Sequence, residues 1–249
     1  MLQTEDLTIR FGGHAAVDGV TCAFEPGTLT AIVGPNGAGK TTYFNLISGQ
    51  LPATSGKVRL HGQDITGLAA PRRSRLGLGR AFQLTNLFPN LSALENVRLA
   101  VQVRRGNSLD LLSRVRGHRA LIDQAMEHLA AVSLAERAET VAATLPHGDQ
   151  RKLEVAILLA LEPDIFMFDE PTAGMSIDEV PTVLDIIAAI KKRGDKTILL
   201  VEHKMDVVRS LSDRIVVLHQ GKLVADGKPA DVINSDIVRE AYLGGAANG

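Results

Sequence analysis

Residues 29–42 read LTAIVGPNGAGKTT, an apolar run that passes directly into a glycine-rich turn, a lysine and two threonines. This stretch limits the possible folds more than any other. A short, fully apolar strand belongs in a sheet covered on both faces. The residues after the turn, TTYFNLISGQL, carry apolar side chains at helical spacing and stop at Gly49. Strand, glycine loop and helix in that order place a helix N-terminus over the carboxyl end of a buried strand. Gly34, Gly39, Lys40 and Thr41 complete the pattern G-x-x-x-x-G-K-[ST], with Asn36, Gly37 and Ala38 inside it. Glycines let the backbone turn and approach closely. Successive N–H groups then converge on phosphate oxygens at the positive end of the helix. Lys40 reaches toward β- and γ-phosphates, the Thr41 hydroxyl toward Mg²⁺, and Thr42 adds a donor near the α-phosphate.

The rest of the chain alternates in the same manner. LTIRF, AVDGVTCAF and GTLTAIV predict short strands near the start, and GKVRLHGQDI predicts a hairpin bending near Gly62. From Leu84 to about Leu145 the strand signals fade, and ALIDQAMEHLAAVSL predicts an amphipathic helix. This stretch, taken as residues 84–150, reads as a helical lobe inserted into the α/β body. KLEVAILLAL is helical, IFMF is a buried strand, and VPTVLDIIAAIKKRG is a helix closing at Gly194. TILLVE is another buried strand, RIVVLHQGKLVADG a hairpin around Gln220 and Gly221, and PADVINSDIVREAYL a final helix before a frayed GGAANG tail. The expected fold is therefore α/β: a mostly parallel, P-loop nucleotide-hydrolase core with an N-terminal antiparallel β subdomain and the inserted α-helical lobe.

IFMFDEP places Asp169 and Glu170 at the end of a buried strand, and TILLVEH does the same for His203. Ligands of such sheets bind at the carboxyl ends of strands. Asp169 suits the Mg²⁺ side and Glu170 the polarisation of an attacking water, while His203 suits a hydrogen bond to the γ-phosphate. With a net charge of −1 the chain carries no overall mark of nucleic-acid binding. Its longest strictly apolar run, VAILLAL, falls far short of the roughly 20 residues that cross a bilayer. No basic-then-apolar leader pattern opens the sequence, and Cys22, the only cysteine, reads as a buried inert thiol. A soluble cytosolic chain is the expectation.

Taken together, these motifs resemble the ATP-binding cassette family over nearly the whole sequence, so that residues 1–249 read as one nucleotide-binding domain. Gly34–Thr41 matches the Walker A loop and IFMFDE the Walker B strand; Gln83 in RAFQ matches the Q-loop. LPHGDQ stands at the signature position, AGMS where the D-loop belongs, and His203 is the switch histidine. Phe11 falls where an aromatic ring stacks on adenine. The resemblance implies ATP and Mg²⁺ as ligands, with Gln83 on the metal side. It also implies a head-to-tail pairing with a second ATPase subunit, each Walker A loop facing the other subunit's signature, and hydrolysis coupled to a membrane partner.

Two departures stand out. The family's Leu-Ser-Gly-Gly-Gln is Leu-Pro-His-Gly-Asp here, and Ser176 replaces the D-loop aspartate. Pro146 brings no hydroxyl to the γ-phosphate, Gly148 keeps a close-approach role, and Asp149 adds a negative charge at the helix start. Either His147 supplies the missing donor in a working site, or the half-site is slow. FGGHAAVDGV, GRAFQLTNLFPNLSALENV and the VEHKMD segment are similar to the ATPase subunits of branched-chain amino-acid importers, with urea and short-chain amide importers close. That resemblance implies two integral membrane permease subunits, an extracytoplasmic substrate-binding protein acting indirectly, a second ATPase that is a copy or a paralogue, and no nucleic acid. The location it implies is the inner face of the cell membrane. A non-transport regulatory ATPase is the alternative, whereas a GTPase lacks its Asn-Lys-x-Asp reader. Leu87, Phe88 and Leu91 could seat a helix of the membrane partner or simply pack within the lobe. The arginine-rich run 104–119 suits lipid headgroups or a solvated helix face.

Overall fold

The computed structural model describes residues 1–81, 87–106 and 115–235, with the backbone alone at 115–118. The chain divides into two compact units. The first holds residues 1–80, 164–170 and 190–249, and the second holds residues 81–163 and 171–189.

The first unit opens with β1 (Leu2–Phe11), β2 (His14–Phe24) and β3 (Leu29–Val33), followed by α1 (Lys40–Ser48). Then come β4 (Ser55–Leu60), β5 (Gln63–Asp64), α2 (Ala70–Arg75) and β6 (Leu78–Ala81). The second unit contains α3 (Ala93–Arg104), α4 (Val115–Ala131) and α5 (His147–Leu161). The chain continues through β7 (Ile165–Asp169), α6 (Val180–Lys192) and β8 (Thr197–Val201). It ends, within the described residues, with α7 (Met205–Leu211), β9 (Arg214–His219), β10 (Lys222–Gly227) and α8 (Pro229–Ile233).

Two sheets result. A four-stranded antiparallel sheet has the order β2-β1-β4-β5, and a six-stranded one the order β10-β9-β3-β8-β7-β6. Strands β9, β3, β8 and β7 run parallel, with β10 antiparallel beside β9. The α/β core and the antiparallel subdomain expected from the sequence are both present.

The interiors of the parallel strands are almost entirely apolar because both their faces are covered, with Thr30 the buried polar exception on β3. On β3, Ile32 joins a core with Phe24, Tyr43, Phe44, Ile47, Met167 and Leu199. Its neighbours Ala31 and Val33 instead join Val208 of α7, Ile215 and Val217 of β9, and Val232 of α8. Alternate residues of one strand thus feed two cores, as the period of two requires. Each fully buried aliphatic or aromatic side chain is worth about 1.5–3 kcal/mol over exposure.

The first two strands are longer than the sequence suggests. Gln3, Glu5 and Arg10 interrupt the apolar pattern, yet they pair within an antiparallel sheet that leaves part of one face open. The register shifts between Thr4 and Leu7, and Asp6 sits there with a φ of 45°. Gln220 and Gly221 both take positive φ in the β9–β10 turn, the geometry of a tight hairpin. The last predicted helix begins as α8, while its part beyond residue 235 and the GGAANG tail lie outside the described residues.

Among the described residues the second unit is helical, with a single isolated bridge between Ser92 and Val141. Ser92 caps α3 by accepting from the Glu95 N–H at 3.2 Å. Buried Asn96 accepts from the Phe88 N–H at 2.8 Å and donates to the Phe88 carbonyl at 3.1 Å. That brace presents Phe88 to solvent, while Leu87 and Leu91 are half-buried. Residues 107–114, half of the 104–119 run, lie outside the described residues; of its arginines, Arg104 is paired with Glu162. No helix among the described residues is long and apolar enough to cross a membrane.

Candidate functional site

Strands β3, β8 and β7 are adjacent, and their carboxyl ends carry the loop before α1, His203 and the Asp169–Glu170 pair respectively. Sheet register alone therefore gathers three sequence motifs on one rim. Residues 36–42 together with Ala16, Glu170 and His203 line a cavity of about 230 Å³ there. The cavity thus takes in Asn36, Gly37, Ala38, Gly39, Lys40, Thr41 and Thr42.

Close packing fixes the loop. Gly39 caps α1 with a φ of 97°, and a Cβ on it would lie 2.3 Å from the Ala16 carbonyl oxygen. A Cβ on Gly34 would lie 2.1 Å from the Leu218 carbonyl oxygen. Lys40 is buried, and its ammonium donates to the carbonyls of Gly34 at 2.8 Å and Pro35 at 2.9 Å. Burial pushes its pKa down, against the opposing pull of Glu170 and Asp169. The helix is held at its far end too. Arg73, only 2% exposed, donates to the carbonyls of Leu46 and Ile47 at 2.7 Å each. A cation at the helix C-terminus answers the negative end of the helix dipole.

Glu170 follows β7 with a φ of 51°, a strained left-handed backbone for a non-glycine residue. Its N–H donates to the Val201 carbonyl at 2.9 Å, which fastens the turn to β8. The His203 Nε2 then meets Glu170 Oε1 at 2.6 Å. Asp169, one residue earlier, is buried. Its Oδ2 accepts from Arg80 at 2.8 Å, while its buried Oδ1 has no hydrogen-bond partner among the described residues. Burial raises the Asp169 pKa, with Arg80 pulling the other way.

Within the first unit, three expected site residues stand away from the cavity lining. Gly34 supports the loop from beneath, Asp169 lies buried behind Glu170, and Phe11 is 53% exposed at the end of β1. Gln83 falls outside the described residues. In the second unit Pro146 caps α5 without a side-chain hydrogen bond, and His147 opens the helix. Gly148 is packed against Glu179; a Cβ there would lie 2.1 Å from the Glu179 carboxylate. That carboxylate also accepts from the Ser176 N–H at 3.1 Å and hydroxyl at 2.9 Å, which holds its pKa below the ordinary range. The charge of Asp149 is answered within the chain by Lys152 at 3.0 Å and Arg137 at 2.8 Å.

The sequence reasoning missed Arg80 and Ala16. Arg80 carried a signal, being a charged residue inside the strand LGRA, where an unpaired charge would be costly. Ala16 gave none.

A buried strand, a glycine loop wrapped around a helix start, and acids on the neighbouring strand end define a P-loop nucleotide-binding protein. The family description "ABC transporter" matches residues 17–173, and "Branched-chain amino acid ATP-binding cassette transporter" matches residues 222–248. The chain belongs to the ABC transporter family. It is 40% identical over 252 residues to the high-affinity branched-chain amino acid transport ATP-binding protein BraF of Pseudomonas aeruginosa, covering 99% of this chain and 98% of that one. It is 38% identical over 251 residues to LivG of Escherichia coli K12, a protein of the same description, with the same coverage. Its fold matches the ADP conformation of MJ1267, an ATP-binding cassette of an ABC transporter, with a TM-score of 0.82, 28% identity and 98% of each chain covered. A dimeric post-hydrolysis cassette, MJ0796 bound to ADP and Pi, matches with a TM-score of 0.79 and 25% identity over 92% of this chain and 99% of that one.

Proposed function

We propose that this chain is the ATP-hydrolysing subunit of an importer for branched-chain or other hydrophobic amino acids. The observation that carries the reading is the cavity in which the 36–42 loop, Glu170 and His203 meet. An incoming triphosphate offers Lys40 oxygens in place of the Gly34 and Pro35 carbonyls, and the loop N–H groups surround it. In this reading Glu170 Oε1, which meets His203 Nε2 at 2.6 Å, accepts a proton from the attacking water. Phe11, exposed at the end of β1, is available to stack on the base.

The residues fit Mg²⁺. Asp169 Oδ1 is a buried acceptor without a hydrogen-bond partner among the described residues, and Thr41 lines the cavity. Thr41, Asp169 and Gln83 would hold the ion, and its chemistry when bound would be to neutralise charge on the transferring phosphoryl group.

The second half of each site is assigned to Pro146, His147, Gly148 and Asp149 of a second ATPase subunit, a copy or a paralogue. The dimeric cassette among the structural relatives supports a pairing of this kind. In this reading residues 1–249 form one nucleotide-binding domain, with 84–150 as its helical insertion. Two integral membrane permease subunits are the expected partners, with an extracytoplasmic binding protein acting through them, which puts the chain on the inner face of the membrane. Exposed Phe88, braced by Asn96, is a candidate contact for a permease helix.

Two measurements test this. Glu170→Gln should cut steady-state ATPase by about 10²–10⁴-fold while ATP still binds; unchanged turnover refutes the general-base role. A deletion strain should lose uptake of labelled leucine, isoleucine or valine. Loss of urea or amide uptake instead would reassign the cargo, and no loss of any uptake would favour a regulatory ATPase.

A further inference from the structure

A buried cation that is not among the residues lining the cavity stands against the acid at the end of β7. The Arg80 side chain is only 7% exposed. One terminal nitrogen donates to Asp169 Oδ2 at 2.8 Å. The other donates to Asn45 Oδ1 at 2.7 Å, the Ser48 hydroxyl at 2.8 Å and Gln50 Oε1 at 2.9 Å. The guanidinium carbon lies 5.5 Å from the centroid of the Phe44 ring. Phe44, Asn45 and Ser48 all belong to α1, the helix whose second residue is Thr41. Positions 41, 45 and 48 follow the spacing that puts side chains on one helix face. Arg80 therefore grips, one and two turns further along, the face that presents Thr41 at the rim. The same planar ion fixes one oxygen of Asp169.

We infer that Arg80 is a positioning residue for the divalent cation. It fastens the helix carrying Thr41 to the acid on β7, and it commits Asp169 Oδ2, leaving Oδ1, without a hydrogen-bond partner among the described residues, as the oxygen an ion would take. This rests on the Mg²⁺ reading above. Two physical effects oppose each other here. A fixed positive charge beside the site repels a metal ion, so charge alone predicts tighter metal binding when Arg80 is removed. Fixed geometry predicts weaker binding, because the two metal-side groups lose their common anchor. The direction of change separates the two. Lysine would keep the charge but cannot form the planar fork.

The test titrates Mn²⁺ into the full-length protein with ADP present, following free Mn²⁺ by electron paramagnetic resonance. ADP affinity in EDTA is measured alongside. Wild type should bind Mn²⁺ more tightly with ADP than without. Arg80→Gln should weaken Mn²⁺ binding by about 10–100-fold, the usual consequence of removing a group that orients a metal ligand, with metal-free ADP affinity unchanged. Arg80→Lys should recover little of the loss. The double variant Asn45→Ala/Ser48→Ala leaves the buried ion pair in place and so remains folded; it should move Mn²⁺ affinity in the same direction. Wild-type or tighter Mn²⁺ binding in Arg80→Gln overturns the inference, as does wild-type binding in the double variant should Arg80→Gln not fold. A parallel loss of metal-free ADP affinity overturns it too, since Arg80 would then be structural only. If wild type binds Mn²⁺ no better with ADP than without, the Mg²⁺ reading falls and the inference with it.

Discussion

Gly37 and Gly39 sit two residues apart in the same loop, both with positive φ, at 78° and 97°. They differ in space. A Cβ on Gly37 would meet nothing within 4 Å, whereas on Gly39 it would lie 2.3 Å from a backbone carbonyl, that of Ala16. Alanine at either position carries a left-handed penalty of roughly 1–2 kcal/mol. Both substitutions also stiffen the unfolded chain by a similar amount, so this contribution cancels between them. Gly39→Ala must in addition push α1 away from β2, an overpacking cost of about 1–3 kcal/mol. At about 2–4 °C per kcal/mol for a chain of this size, Gly39→Ala should melt about 2–12 °C below Gly37→Ala. Nucleotide affinity should follow the same order, because Ala16 also lines the cavity. The assay is thermal unfolding of both variants without nucleotide, then ADP titration of each. Equal melting temperatures would refute the claim that contact with Ala16, rather than backbone strain, makes a glycine necessary at 39.

Three further outcomes are expected. Lys40→Ala should raise the ATP dissociation constant by roughly 10–150-fold, the equivalent of one lost charged hydrogen bond at about 1.5–3 kcal/mol, measured by calorimetry. His203→Ala removes the 2.6 Å partner of Glu170 and should slow turnover by a similar roughly 10–150-fold while ATP binding persists; equal turnover would detach His203 from the chemistry. Burial raises the Cys22 thiol to about 11 from an ordinary 9.0. A raised folded-state pKa gives stability that is intact below pH 9 and is lost as the pH climbs through 11. Denaturant unfolding should show that loss, at most about 2–3 kcal/mol, and Cys22→Val should flatten it.

The fold was legible wherever one residue type had one reason to be present. The parallel strands announced themselves because covering both faces leaves their interiors almost entirely apolar. The rim of the sheet was legible as well, since Glu170 and His203 follow apolar runs as the 34–41 loop does. What stayed hidden depended on partners distant in sequence. Arg80 finds Asp169 and Asn45 only once β6 lies beside β7 and α1 has folded back, and no local pattern encodes that. The same holds for Glu179, whose seat against Gly148 is invisible from either residue alone. Gln3 and Glu5 masked the true length of β1 because a half-solvated strand tolerates them. The charge expected of Asp149 at the start of α5 proved to be balanced by Lys152 and Arg137, and Arg137 lies on a separate turn.

The ammonium of Lys40 already rests on the Gly34 and Pro35 carbonyls, and the loop around it is shaped by packing against Ala16 and Leu218. Capture of the phosphates is thus an exchange of acceptors on a loop that packing has already shaped. The association rate should then be set by diffusion and the shedding of hydration water, and tightness should appear mainly in how slowly the nucleotide departs.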